Sequence, residues 1–262
     1  MNKKIKKILN KKNKSKVICL TAYSKNVASI LDKYCDLVLV GDSLGSVLYN
    51  FKSTKEVTLD TMINHSKSVR LGIKKSLMVV DMPFNTYRTS NEALKNAKLI
   101  IKKTRCDAVK LEGGNKIIHI VKSLVKNKIP VMGHLGILPQ TAKKFIFKGK
   151  KLTERNRILN DAKLLEAAGI FSVVLECVET DLAKKISRQL KIPTVGIGSS
   201  VNCDGQVLVI DDLIGLNESK FRFVKKYANT SQIIENAVKK YKSEVLKKQF
   251  PKVKHSFKNQ IN

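Results

Sequence analysis

Eight short apolar runs rich in β-branched residues, separated by stretches with helical spacing, constrain this chain more than any other feature. They lie at 17–21, 36–40, 76–80, 107–111, 129–133, 171–175, 192–197 and 207–210. Strand-like runs alternating with helix-like segments are the signature of βα units and a parallel sheet. Several runs are almost continuously apolar, as strands buried on both faces should be. Helical spacing is expected over 24–34, where Val27, Ile30 and Leu31 share a face, and over 58–71, 90–103, 153–168 and 231–248. Eight such strands in 262 residues is the arithmetic of an α/β fold, a (β/α)8 TIM barrel, which takes about 250 residues. A doubly wound open sheet is the alternative, but no G-x-G-x-x-G follows any run.

The expected organisation is a single barrel domain over 1–262, with a basic N-terminal arm (1–16) and a short C-terminal extension (251–262). Ile5, Ile8 and Leu9 sit at helical spacing, so 3–13 is expected as a short helix packed against the barrel. The first 16 residues hold eight Lys and no apolar segment, which argues against a secretory signal, and their lack of Arg argues against a transit peptide. No apolar run approaches the ~18 residues of a membrane span. Five Cys (19, 35, 106, 177, 203) include no C-x-x-C pair, which points to reduced thiols, no zinc site and a cytoplasmic location.

Lys and Arg number 51 against 21 Asp and Glu, a formal net charge of +30. Such a balance raises nucleic acid as a partner. However, 44 of the 51 are Lys, they are scattered along the chain, and Trp is absent. A solvated, Lys-rich exterior is expected instead, with neither nucleic acid nor membrane as a partner.

In a barrel, residues at the C-terminal ends of strands line the active face. The strand ends carry Asp42, Asp81, Glu112, His134 and Glu176. Asp42, Asp81 and Glu112 follow adjacent strands, and three converging carboxylates suit a hard divalent cation, Mg²⁺ above all. Alternatively, each carboxylate caps a helix or pairs with a lysine. In Asp107-Ala-Val-Lys-Leu-Glu112, a period of two sets Lys110 beside Glu112, pointing into the barrel mouth. There Lys110 would bind a substrate carboxylate or act as a Schiff-base nucleophile. Glu176 closes an apolar run without a basic partner nearby in sequence; burial would raise its pKa and suit it to general-base work. Cys177 beside it reads as a packing residue.

Ten stretches together resemble the ketopantoate (3-methyl-2-oxobutanoate) hydroxymethyltransferase family. They include TAY (21–23), LVGDSLGSV (39–47), STKEVTLDTMINHSKSVR (53–70), DMPF (81–84), VKLEGG (109–114) and PVMGHLGILPQ (130–140). The others are VLECV (174–178), IPTVGIGSS (192–200), CDGQVLV (203–209) and HSF (255–257). The resemblance implies a (β/α)8 barrel assembled as a homodecamer, using one Mg²⁺ per subunit and 5,10-methylenetetrahydrofolate. The reaction implied is transfer of a hydroxymethyl group to 3-methyl-2-oxobutanoate, giving ketopantoate in pantothenate biosynthesis. Carried over by motif, Asp42, Asp81 and Glu112 become the metal-site carboxylates. Asp42, Ser43, Asp81 and Lys110 would face the keto acid, and Glu176 would accept its proton. His134 would position the oxyanion or the folate, or serve as a structural imidazole. The chain departs from the family pattern at Ser24, where an acidic residue is usual, and at Leu138, where a hydroxyl is usual. The 143–150 loop is also about three residues short. Two rivals are a Mg-dependent barrel lyase acting on C–C bonds of small 2-oxo acids and, in another class, a basic nucleic-acid-binding protein.

Overall fold

The computed structural model describes residues 2–142, 145–219 and 221–257. Eight parallel strands close into a barrel in the order β1 to β8. They are β1 (Val17–Thr21), β2 (Leu37–Val40), β3 (Leu77–Asp81), β4 (Ala108–Glu112), β5 (Val131–Gly136), β6 (Ser172–Glu176), β7 (Thr194–Ile197) and β8 (Gly205–Leu208). The helices are α1 (Lys3–Leu9), α2 (Lys25–Leu31), α3 (Leu44–Tyr49), α4 (Leu59–Gly72), α5 (Ser90–Thr104), α6 (Ile118–Lys126), α7 (Leu152–Ala167), α8 (Thr180–Gln189), α9 (Ile210–Leu213) and α10 (Thr230–Leu246). No helix among the described residues is long and apolar enough to cross a membrane.

The barrel interior is filled by the residues that alternate inward along each strand. Val17, Cys19, Leu37, Leu39, Leu77, Val79, Ala108, Met132, Val174, Val195 and Val207 form one buried cluster. Most of them come from the first halves of their strands, so the apolar packing sits at the N-terminal end of the barrel. The N-terminal arm completes that end: Ile5 and Ile8 of α1 are buried in the same cluster. Its lysines are anchored by the barrel's own carboxylates, Lys11 on Asp36 and Lys12 on Asp204, each at 2.7 Å. The helix is shorter than the 3–13 expected, because the chain past Asn10 goes on in turns.

Most strands shift by a residue or two from the sequence reading, β7 starting at Thr194 instead of 192, and two depart furthest. β5 runs on past residue 133, so His134 lies within the strand, opposite Glu112. The extension pairs Gly136 with Glu176; a Cβ on Gly136, whose φ is +101°, would meet the Glu176 carbonyl oxygen at 2.1 Å. β8 starts at Gly205, before its apolar run, because Gly205 lies against β1 so closely that a Cβ would come within 2.4 Å of the Val17 carbonyl. Helices α3, α6 and α8 were not singled out by spacing, and each occupies a gap between strands.

The chain divides into two compact units, Met1–Ile210 and Asp211–Asn262. In the second, Tyr227 and Thr230 donate backbone hydrogen bonds to Leu213 and Ile214, and α10 carries no buried residue. Of the expected 251–262 extension, 253–255 form a 3-10 turn, and 258–262 lie outside the described residues.

Candidate active site

The inward columns that are apolar at the base of the barrel turn charged at its mouth. Asp81 continues the column of Leu77 and Val79, Lys110 and Glu112 that of Ala108, His134 that of Met132, and Glu176 that of Val174. Asp42 joins them from the turn between β2 and α3. Asp42, Asp81, Lys110, Glu112 and His134 are each at most 6% exposed. Ions buried this deeply must be paired or hydrogen-bonded, and these are.

Lys110 Nζ lies 2.9 Å from both carboxylate oxygens of Asp81. Burial alone would favour the free amine, but Asp81, Glu112 and Asp42 outweigh it and hold the ammonium above its ordinary pKa. Lys110 is therefore a fixed positive charge, a poor start for a Schiff base. The backbone N–H of Asp42 donates to Asp81 Oδ2 at 3.2 Å. Burial, with Asp81 and Glu112 close by, pushes the Asp42 carboxyl up to about 8.

His134 lies between two carboxylates, its Nδ1 3.3 Å from Glu112 Oε1 and its Nε2 3.2 Å from Glu176 Oε2. Neither approach has hydrogen-bond alignment, so both ring nitrogens are ion-paired by distance only. Burial and Lys110 oppose a proton on the ring, but Glu112 and Glu176 prevail and raise it to about 9. Glu176 thus has the basic partner its sequence neighbourhood lacks, with its side chain 12% exposed. The Cys177 thiol next to it is pushed up to about 12 by burial and by Glu176, far from a thiolate nucleophile.

The structure brings all seven expected site residues to the same end of the barrel. Ser43 Oγ lies 2.9 Å from the Tyr23 hydroxyl. Three further residues belong to this neighbourhood. Gln140 donates from Nε2 to Asp42 Oδ2 at 2.8 Å and from its backbone N–H to Glu112 Oε2 at 3.0 Å. Tyr87 donates its hydroxyl to Gln140 Oε1. Tyr23 stands in the TAY motif and Gln140 closes PVMGHLGILPQ, so both carried a signal; Tyr87 follows DMPF in a loop and carried none.

The donor set fits a hard divalent cation, since it is all oxygen and its four carboxylates face only two cationic side chains, leaving a surplus of negative charge. A preformed cage is not what the side chains make, however. Among the described residues no three His, Cys, Asp or Glu groups stand in ligating geometry, and Asp81 is shared with Lys110. Beside Glu112 and Gln140 a cavity of about 700 Å³ opens, walled by Phe84, Tyr87, Leu138 and Ile158. Leu138, the departure from the family pattern, is therefore a wall residue. Ser24 caps α2 without a side-chain hydrogen bond. In the shortened loop, Phe145, Ile146 and Phe147 are about half exposed, while 143 and 144 lie outside the described residues.

Comparison with known proteins gives the chain a family. The family model described as ketopantoate hydroxymethyltransferase matches residues 2–253. A 3-methyl-2-oxobutanoate hydroxymethyltransferase of Pelagibacter ubique (strain HTCC1062) is 68% identical, over 98% of this chain and 100% of its own. One from Rhizobium etli is 47% identical, over 92% and 90%. Among solved structures, a 2,3-dimethylmalate lyase superposes with a TM-score of 0.61 at 9% identity, covering 100% of this chain and 92% of its own. A phosphonopyruvate hydrolase gives 0.62 at 8%, covering 98% and 92%. At such identities the last two speak for the barrel alone. Matched over nearly its whole length by the family model and by relatives of that name, the chain belongs to the ketopantoate hydroxymethyltransferase family.

Proposed function

We propose that this chain transfers a hydroxymethyl group from 5,10-methylenetetrahydrofolate to 3-methyl-2-oxobutanoate, forming ketopantoate in pantothenate biosynthesis. One observation carries the reading: in a member of this family, four carboxylates converge around Lys110 and His134 at the catalytic end of the barrel. Asp42, Asp81 and Glu112 would hold one Mg²⁺, which when bound polarises a keto-acid carbonyl as a Lewis acid. Lys110 supplies a positive charge for the substrate carboxylate, and Ser43 a hydroxyl beside it. Water first cleaves the folate's methylene group as formaldehyde, breaking its C–N bonds and releasing tetrahydrofolate. Glu176 takes the proton from C3, the C–H electron pair becomes the enolate, the enolate carbon adds to the formaldehyde carbonyl, and the resulting alkoxide takes a proton back to give the hydroxymethyl group. His134, protonated between Glu112 and Glu176, holds Glu176 in place and opposes the charge that would otherwise repel the enolate.

The partners are then a small 2-oxo acid and a reduced folate, and the working form is a homo-oligomer, a decamer in keeping with the family. A cytoplasmic location suits five cysteines that are all unpaired and buried. The test is direct. Protein, keto acid, Mg²⁺ and methylenetetrahydrofolate together should give ketopantoate by mass spectrometry, and a chelator should stop it. Ketopantoate-free reactions, or turnover that ignores the folate, would overturn the reading.

A further inference from the structure

We infer that Gln140 is a positioning residue for the carboxylates of the barrel mouth and that Tyr87 locks it; the inference rests on the reading above. Gln140 comes from the loop after β5, yet it touches the ends of three other strands. Its Nε2 donates to Asp42 Oδ2 at 2.8 Å, after β2, and to the Met82 carbonyl at 3.0 Å, after β3. Its backbone N–H donates to Glu112 Oε2 at 3.0 Å, at the end of β4. The residue is 2% exposed. Both amide hydrogens are therefore spent on acceptors, which leaves the amide oxygen nothing but a donor to face. Tyr87 provides that donor through its hydroxyl. A carboxamide with its orientation set from both ends cannot flip, because the flipped form would turn its oxygen on Asp42 and its NH₂ on the Tyr87 hydroxyl.

Among the described residues Asp42 and Glu112 have no other side-chain link to each other, and Asp42 accepts one side-chain hydrogen bond, from Gln140 Nε2. Without it, Asp42 has lost its one side-chain donor while still facing Asp81 and Glu112. The chemistry follows from the role of outer-shell partners: they orient the groups that contact a metal or substrate, and removing them typically weakens affinity or activity by about 10–100-fold. Gln140 itself need not touch the reacting atoms.

Three variants test this. Gln140→Leu keeps the volume and the backbone N–H to Glu112 but removes the amide; Tyr87→Phe removes only the hydroxyl; the third combines them. Mn²⁺ is titrated into each protein without substrate, followed by electron paramagnetic resonance, so that the readout is independent of turnover. Exchange of the keto acid's C3 hydrogen with deuterated solvent is followed separately. Gln140→Leu should weaken Mn²⁺ binding and slow the exchange, each by about 10–100-fold, with melting still cooperative. Tyr87→Phe should give a smaller loss in the same direction, and the double variant should be no worse than Gln140→Leu, since the hydroxyl acts through the amide. Additive losses, or a Gln140→Leu protein that binds Mn²⁺ and exchanges as the wild type does, would overturn the inference. If the wild type itself neither binds Mn²⁺ nor exchanges, the functional reading has failed instead. A Gln140→Leu protein that melts non-cooperatively while Tyr87→Phe binds Mn²⁺ normally would also overturn it, as a packing role.

Discussion

Glu176 and His134 make a pair whose members can be separated by substitution. Glu176→Gln keeps the shape of the side chain and its approach to the imidazole but removes the oxygen that takes a proton. Loss of a general base typically costs 10²–10⁴-fold in rate, about 3–5 kcal/mol of barrier. Solvent exchange of the keto acid's C3 hydrogen isolates that step, since it needs no folate. The variant should bind the keto acid with Mg²⁺ nearly as well as the wild type and exchange at least about a hundredfold more slowly. Asp81→Asn should do the reverse in kind, weakening metal and keto-acid binding together. Exchange by Glu176→Gln at near the wild-type rate would move the base elsewhere. That Asp81, Lys110, Glu112, His134 and Glu176 were legible in the sequence has a physical cause. Each ends or prolongs an apolar run whose period of two fixes which way it points. Gln140 and Tyr87 lie on loops, where no period exists, and their pairing is a contact across 53 residues of chain. The pairing of Lys110 with Asp81 was also out of reach, because it depends on the β3–β4 register that sets those two residues side by side.

At the scale of elements, Asp32 shows how a helix end is tied to the barrel. It follows α2, and its carboxylate accepts from the backbone N–H groups of Lys74, Lys75 and Ser76, in the turn that leads from α4 into β3. Burial works against this charge, but those three N–H groups win and hold the carboxyl below its ordinary value. A depressed folded-state pKa adds stability above the unfolded value, about pH 4, and that stability is lost as pH falls through the folded value. Asp32→Asn should therefore destabilise the protein by about 1.5–3 kcal/mol at pH 7, the worth of hydrogen bonds to a charged group. Below about pH 4 the gap from the wild type should narrow. Denaturant melts at pH 7 and pH 3 check both statements, and a gap that widens toward acid would refute them. The helix ending at Leu31 was visible as a periodic stretch, whereas the use of Asp32 was not. Local sequence shows a charged residue after a helix, and only the fold brings 74–76 to it.

At the scale of the whole molecule, charge and exposed apolar surface pull in opposite directions. The chain carries a net +30, which repels any second copy. Yet α10 leaves Ile234, Val238, Tyr241 and Val245 at least 42% exposed, at spacings that set them along one face of the helix. A stripe of this kind on a lone protein invites association. The repulsion is long-ranged and screened by salt, with a Debye length of about 10 Å at 0.1 M, while apolar contact is short-ranged and survives screening. Raising salt from low to physiological levels should then leave the assembly the same size or larger, as read by light scattering across a size-exclusion column. Val238→Glu with Tyr241→Glu, which breaks the stripe, should shift the population toward smaller species at every salt concentration. Dissociation of the wild type as salt rises would mean that ion pairs, and not apolar contact, hold the copies together. An unchanged size for the double variant would move the contact off α10.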